Sequence, residues 1–309
     1  MRLVTFRHDR ETRIGAIVGE QVVDLFSASL AAGQMPLSSD MTGLLEMGAS
    51  GLRTARATIR FAVERPRPAY LLPLRKVRLE APVPCPRKFF ALAGNYSSHL
   101  QEEGRRVRAK QEQTPRVFMK PPSTTANRPG GPIVLYRQAH WIDWEVELGV
   151  VIGRRAKYVA PEQAPKFIAG YTVVNDVSER EFKIQDRTRT EGFDEFFDWL
   201  NGKWPDGFAP MGPCLTTADE IPDPQNLDIQ LAVNGKTMQH SNTGAMTYTC
   251  ADIVSYISQS VTLEPGDIIA MGTPAGIGKL QGIRLKEGDV VRCEIERIGV
   301  LENKVVAEK

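Results

Sequence analysis

At 309 residues, with 39 Lys and Arg against 37 acidic residues, the chain is longer than an average domain and carries a net charge of +2. That balance gives no field to draw it onto nucleic acid or an anionic membrane surface, so neither is an expected partner. Four dispersed cysteines, Cys85, Cys214, Cys250 and Cys293, form no C-x-x-C pair, and no apolar run reaches the roughly 18 residues of a membrane span. These features, with a charged N-terminus that has no apolar signal core, lead us to expect a soluble cytoplasmic protein acting on a small molecule.

In chain order, residues 2–6, 14–18 and 21–25 read as short strands, and GLRTARATIRFAVER (51–65) reads as a helix with Leu52, Ala55, Ile59, Ala62 and Val63 on one stripe. Arg53, Arg56 and Arg60 fall on the opposite, solvated face. The stretch 64–87 contains six prolines, which favour extended connection over regular structure. We therefore divide the chain into a small α/β unit, residues 1–78, and a larger unit, residues 79–309. The larger unit reads as a succession of short strands: FFALAG, RVFMK, 144–152, FIAGYTVV, DIQLAV, DIIAMG and DVVRCEI. Asn234-Gly235 marks a hairpin. Thr249 with Asp252 marks a capping box that opens a short helix. The expected class is α+β, mainly β, because no regular βαβ alternation is present.

The segment WIDWEVELGVVIG (141–153) poses a chemical problem. On a strand, Glu145 and Glu147 share one face, yet the run around them is apolar on both faces and suited to burial. Two adjacent buried carboxylates repel and lose solvation unless a cation or a proton compensates. A third acid, Asp176, ends the buried strand FIAGYTVVN. Glu145, Glu147 and Asp176 are thus candidate ligands of one hard divalent cation, for which three carboxylate oxygens and open positions suit Mg²⁺.

In GNYSSHLQEEG, Ser98 with Gln101 forms a capping-box pattern, so His99 is expected in the first turn of a helix, with Glu102 on the same face. There Glu102 orients an imidazole that acts as general base. GDIIAMGTPAGIG (266–278) lacks both phosphate-loop patterns, but a strand entering such a glycine-rich loop brings backbone N–H groups and the Thr273 hydroxyl near a bound anion. Residues 181–207 are dense in charge and aromatics, and two readings stand: an ordered surface loop, or a lid that brings in groups such as Lys203.

GNYSSH, RVFMK, WEVELGVVIG, AGYTVVNDVSER, GK before FAPMGP, VNG and GDIIAMGTPAGIG occur in an order that resembles the fumarylacetoacetate hydrolase family across residues 88–290. The resemblance implies a mixed β-roll catalytic domain, a divalent ion (Mg²⁺ or Mn²⁺, with Ca²⁺ also used) on Glu145, Glu147 and Asp176, and a His99–Glu102 dyad. It further implies that Lys120, Arg180, Lys203 and Thr273 face the substrate, and that the protein is a homodimer. Lys183 stands where many members have Gln, which would place an added positive charge at the substrate. The implied activity is hydrolysis of the C–C bond of a 2,4-diketo acid in a catabolic pathway, with water activated by His99 and Lys203 stabilising the oxyanion. The alternative is isomerisation or decarboxylation of a 2-oxo acid through the same enolate. A catalytically silent metal binder is a third reading, which retention of His99, Glu102 and Lys203 argues against.

Overall fold

The structure, a computed structural model, describes residues 1–102, 104 and 106–309. A twelve-stranded mixed sheet runs through the molecule. Its middle is the strand Val146–Ile152, hydrogen-bonded antiparallel to Ile168–Asn175 on one side and to Ile268–Ala270 on the other. Every residue of that strand is buried, as its unbroken β-branched run requires. Ile268–Ala270 continues in parallel to Phe89–Ala93, which pairs with the edge strand Arg116–Met119.

In the other direction Ile168–Asn175 pairs with Ala209–Thr217, and that strand pairs with Arg2–His8. The N-terminal strands Glu11–Val18, Gln21–Asp24 and Leu71–Pro73 extend the same sheet. The segments 1–78 and 79–309 therefore share a continuous ladder, although their topologies differ. They share a core as well: Leu3, Ile14, Leu25, Ala55 and Ala62 pack with Phe89, Ala91, Val151, Val174 and Met211.

The helix expected at 51–65 spans Gly48–Glu64, and Gly51, Ala55, Thr58 and Ala62 face this core. Val63 is half exposed, not on the buried stripe. The opposite face of the large sheet, through Val146, Leu148 and Val150, meets Ile229, Leu231, Val291, Cys293 and Leu301 of a second, five-stranded sheet. The hairpin in that sheet turns at Asn234-Gly235, with φ of 52° and 80°, a conformation that these two residue types tolerate best. Thr249 caps the helix Cys250–Ser260, and Asp252 closes the reciprocal bond. Strands predominate, in the α+β arrangement expected. Among the described residues no helix is long and apolar enough to cross a membrane.

Candidate active site

The two central strands build the acidic cluster. Glu145 and Glu147 lie at the entry of Val146–Ile152, and Asp176 follows the end of Ile168–Asn175. Pairing of Val146 with Asn175 brings those ends together. Two further bonds fix the register, from the Asp176 amide to the Glu145 carbonyl (2.8 Å) and from the Glu145 amide to Asn175 Oδ1 (3.0 Å). One carboxylate oxygen from each acid falls within 4.8 Å of the other two, and all three residues are buried.

Among the described residues three cations answer this charge. Lys203 Nζ donates to Glu145 Oε2 and Asp176 Oδ2, both at 2.7 Å. Lys120 Nζ donates to Asp176 Oδ1 from behind the cluster, and Arg180 bridges Asp143 and Glu145. Burial alone would raise the Glu145 carboxyl, but Lys203 and Arg180 outweigh it and hold the group below the usual carboxylate range. For Glu147, burial and the charges of Asp176 and Glu145 act together and push it well above that range. Burial lowers Lys203 less than its two acids raise it, so it stays charged. For Lys120, burial prevails over Asp176 and lowers it.

Glu147 Oε2 accepts from the Gly272 amide at 2.7 Å, while Oε1 is buried with no hydrogen-bond partner among the described residues. An orphaned carboxylate oxygen beside two other acids is a position for a cation, or for a proton in its absence. The three side chains thus fit a hard divalent ion.

His99 belongs to the helix Ser97–Glu102 and is 6% exposed. Ser98 lies inside this helix instead of capping it. The first turn is set by the Tyr96 carbonyl, which accepts from the Leu100 amide at 3.2 Å. Asn95 anchors that turn through bonds to the Tyr248 and Met271 carbonyls. Glu102 Oε2 stands 3.9 Å from His99 Nδ1 and accepts from the Gly276 amide at 2.9 Å. It both faces the imidazole and ties the helix to the glycine-rich loop.

His99, Glu145, Arg180, Lys203 and Thr273 line one cavity of about 650 Å³. The segment expected as loop or lid contains the helix Gly192–Asn201, whose Phe196 and Trp199 form a wall of that cavity. Trp199 meets Phe118 edge-on at 5.1 Å. A groove of about 800 Å³ lies on the other side of the helix, but it contains neither the acids nor His99. The chemistry therefore belongs to the first cavity.

Two residues expected to face the substrate, Lys120 and Lys183, do not line this cavity. Lys120 is spent on Asp176 and does not line the cavity. Lys183 pairs with Asp186 at 2.6 Å and lines an adjoining pocket that shares Arg180, Glu195 and Trp199 with the cavity. Thr273 does line the cavity, with its hydroxyl donating to the Val146 carbonyl (3.0 Å) and accepting from Gln239 (2.8 Å).

Asp143 and Gln239 escaped the sequence reading. Asp143 is fully buried and accepts from the Gly278 and Lys279 amides and from Arg180. The same alternation that flagged Glu145 and Glu147 extends back to it. Gln239 accepts from the Val146 amide at 3.0 Å, but nothing in the hairpin sequence singles it out.

Residues 88–306 match the family model described as fumarylacetoacetate (FAA) hydrolase C-terminal. The chain belongs to the fumarylacetoacetate hydrolase family. Family membership makes it an enzyme of this superfamily, with a site suited to a divalent cation. It is 38% identical to the mitochondrial oxaloacetate tautomerase Fahd2a of Rattus norvegicus, over 99% of this chain and 92% of that protein. It is 39% identical to the mitochondrial oxaloacetate tautomerase FAHD2A of Homo sapiens, over 87% of this chain and 81% of that one. Among solved structures of the family, maleylpyruvate hydrolase from Sphingobium sp. SYK-6 in complex with manganese(II) and pyruvate superposes with a TM-score of 0.76 at 28% identity, covering both chains completely.

The mitochondrial relatives overturn the expectation of a cytoplasmic location. Dispersed cysteines and balanced charge do not single out the cytosol.

Proposed function

We propose that this protein catalyses keto–enol tautomerisation of a 2-oxo dicarboxylic acid of the oxaloacetate type. In this reading Glu145, Glu147 and Asp176 hold a divalent cation. The observation that carries it is a single cavity in which His99, backed by Glu102, opens beside the acidic cluster and Lys203. When bound, the cation supplies Lewis-acid polarisation of the 2-oxo acid oxygens, which acidifies the neighbouring C–H.

His99 takes a proton from C3 and returns it to the oxygen on C2, so the reaction balances without water or a co-reactant. Glu102 keeps the imidazole in place and favours its transient charge. Lys203, fixed by Glu145 and Asp176, puts a permanent positive charge where the C2 oxygen becomes negative. Arg180, fixed by Asp143, adds to the same field. Phe196 and Trp199 make that wall apolar, which lowers the local dielectric and strengthens both charges.

This choice takes the isomerase alternative over C–C hydrolysis, the first expectation from the sequence. Enolisation requires one base, whereas hydrolysis also requires a water positioned against a C4 carbonyl. The relatives that carry the name oxaloacetate tautomerase, aligned over nearly the whole chain, support the isomerase. Hydrolysis is retained as a second reading because the maleylpyruvate hydrolase of Sphingobium shares the fold along its full length.

The test is oxaloacetate in D₂O with protein stripped by EDTA and resupplied with Mg²⁺ or Mn²⁺. Cation-dependent acceleration of C3 deuteration and of enol decay, without pyruvate formation, is the expected result. Release of CO₂ would instead mark a decarboxylase. Cleavage of an acylpyruvate with no effect on oxaloacetate would establish the hydrolase.

A further inference from the structure

Among the described residues four permanently charged cations line the cavity: Arg116, Arg180, Lys203 and Lys279. Three of them are committed, Arg180 to Asp143 and Glu145, Lys203 to Glu145 and Asp176, and Lys279 to Glu181 at 2.6 Å. Arg116 has no carboxylate partner among the described residues.

Its position is built. Arg116 opens the edge strand and pairs with Ala93, and its NH1 atom lies 3.3 Å from where a Cβ on Gly94 would stand. Gly94 adopts φ +65° and lines the same cavity, so its bare backbone gives the guanidinium room to lie against the cavity floor. Leu92, Ile277, Leu280, Phe196 and Trp199 make much of the remaining lining apolar. Glu195, on the helix that walls the cavity, also lines it, so a second carboxylate on the substrate needs a cation there to offset this acid. An uncommitted guanidinium in such a cavity is a fork for a carboxylate.

We propose that Arg116 is a specificity-determining residue that binds the distal carboxylate of the substrate, so that the enzyme selects 2-oxo dicarboxylates over 2-oxo monocarboxylates. The inference rests on the proposed function for the 2-oxo acid end of the ligand. Arg116 is exposed, so its pull on the distal carboxylate weakens as salt is added.

The experiment is calorimetric binding of malate and of lactate to the full-length protein loaded with Mn²⁺. The two share a 2-hydroxy carboxylate end and differ in the second carboxylate. Wild-type protein is expected to prefer malate. Arg116→Gln is expected to lose about tenfold or more of malate affinity, as for a charge-assisted hydrogen bond, while lactate binding stays within about twofold. Arg116→Lys should retain part of the preference.

Equal binding of malate and lactate by the wild type, no malate binding, or an unchanged malate-to-lactate ratio in Arg116→Gln would each overturn the proposal. A matching thermal midpoint shows that the variant is folded. Neither ligand is turned over by tautomerisation, so failure of the tautomerase assay and failure of this selectivity are read separately.

Discussion

Replacing Lys203 by Met separates what the ammonium does for folding from what it does for chemistry. Lys203 is 2% exposed, and its Nζ bridges Glu145 and Asp176 at 2.7 Å each. Met fills a similar volume and keeps the contact with the Phe118 and Trp199 rings, over which the ammonium now lies at 5.6 and 5.9 Å. What is lost is the charge. Removing one partner of a buried ion pair costs roughly 3–5 kcal/mol, because the acids left behind are unpaired. At roughly 2–4 °C per kcal/mol for large single chains, the thermal midpoint of EDTA-stripped Lys203→Met should fall on the order of 10 °C below wild type. A divalent cation on Glu145, Glu147 and Asp176 would neutralise the same oxygens, so saturating Mn²⁺ should close at least about half of that gap by binding the folded state. Deuteration at C3 should stay low even with Mn²⁺, because the fixed charge near the C2 oxygen is gone. Thermal melts of the two proteins, each with EDTA and with Mn²⁺, provide the measurement. A gap equal in the two conditions would refute the idea that lysine and cation answer the same charge, and no gap in EDTA would refute the buried-pair accounting.

Glu147→Gln keeps the shape of the side chain and the bond from the Gly272 amide, so its metal-free midpoint should move little, while cation affinity falls by more than the roughly 10–100-fold expected for a mere outer-shell partner. Because the Glu147 carboxyl is raised above its ordinary value of 4.5, the metal-free protein holds that proton to higher pH than a free carboxyl does, and a bound cation displaces it. Cation affinity should therefore rise with pH, with proton release seen by calorimetry in buffers of different ionisation heat and absent in Glu147→Gln. The linked stability has the matching sign: a raised acid stabilises the fold below its unfolded value, and this contribution is lost as pH rises, so EDTA-stripped wild type should melt lower at about pH 8 than at about pH 5. His99→Ala should slow C3 deuteration by about 10²–10⁴-fold with cation affinity nearly unchanged, and Glu102→Gln should slow it less; full exchange activity in His99→Ala would remove His99 from the mechanism. A chain of residues 79–309 alone should bind a dye for exposed apolar surface and aggregate, since Phe89, Ala91, Val174 and Met211 lose Leu3, Ile14 and Leu25; a folded, cation-binding product would establish independent units.

The acidic cluster was legible because strand alternation is local: E-x-E on an otherwise apolar run is visible without knowing what pairs with it. The partner acid Asp176 was found for the same reason, since it ends a second buried run. The compensating cations were harder to place, because nothing local says which side of a carboxylate a lysine approaches. Lys120 and Lys203 read alike in sequence, yet one is packed behind Asp176 and the other lines the cavity. Lys183 lies in a pocket beside the cavity and not in it, where it pairs with Asp186, a placement that its spacing from Arg180 does not reveal. The sharing of a sheet by the first strand, Arg2–His8, and Ala209–Thr217 was illegible too, because a pairing between residues some two hundred positions apart leaves no periodic mark in either segment. Arg116 is the sharpest instance. In sequence it is one arginine among many at the start of RVFMK. Its meaning arises only when the other cavity cations are found bound to acids and Gly94 is found beneath the guanidinium. Which group is left uncommitted is a property of the folded charge network, and it decides what the site has to offer a substrate.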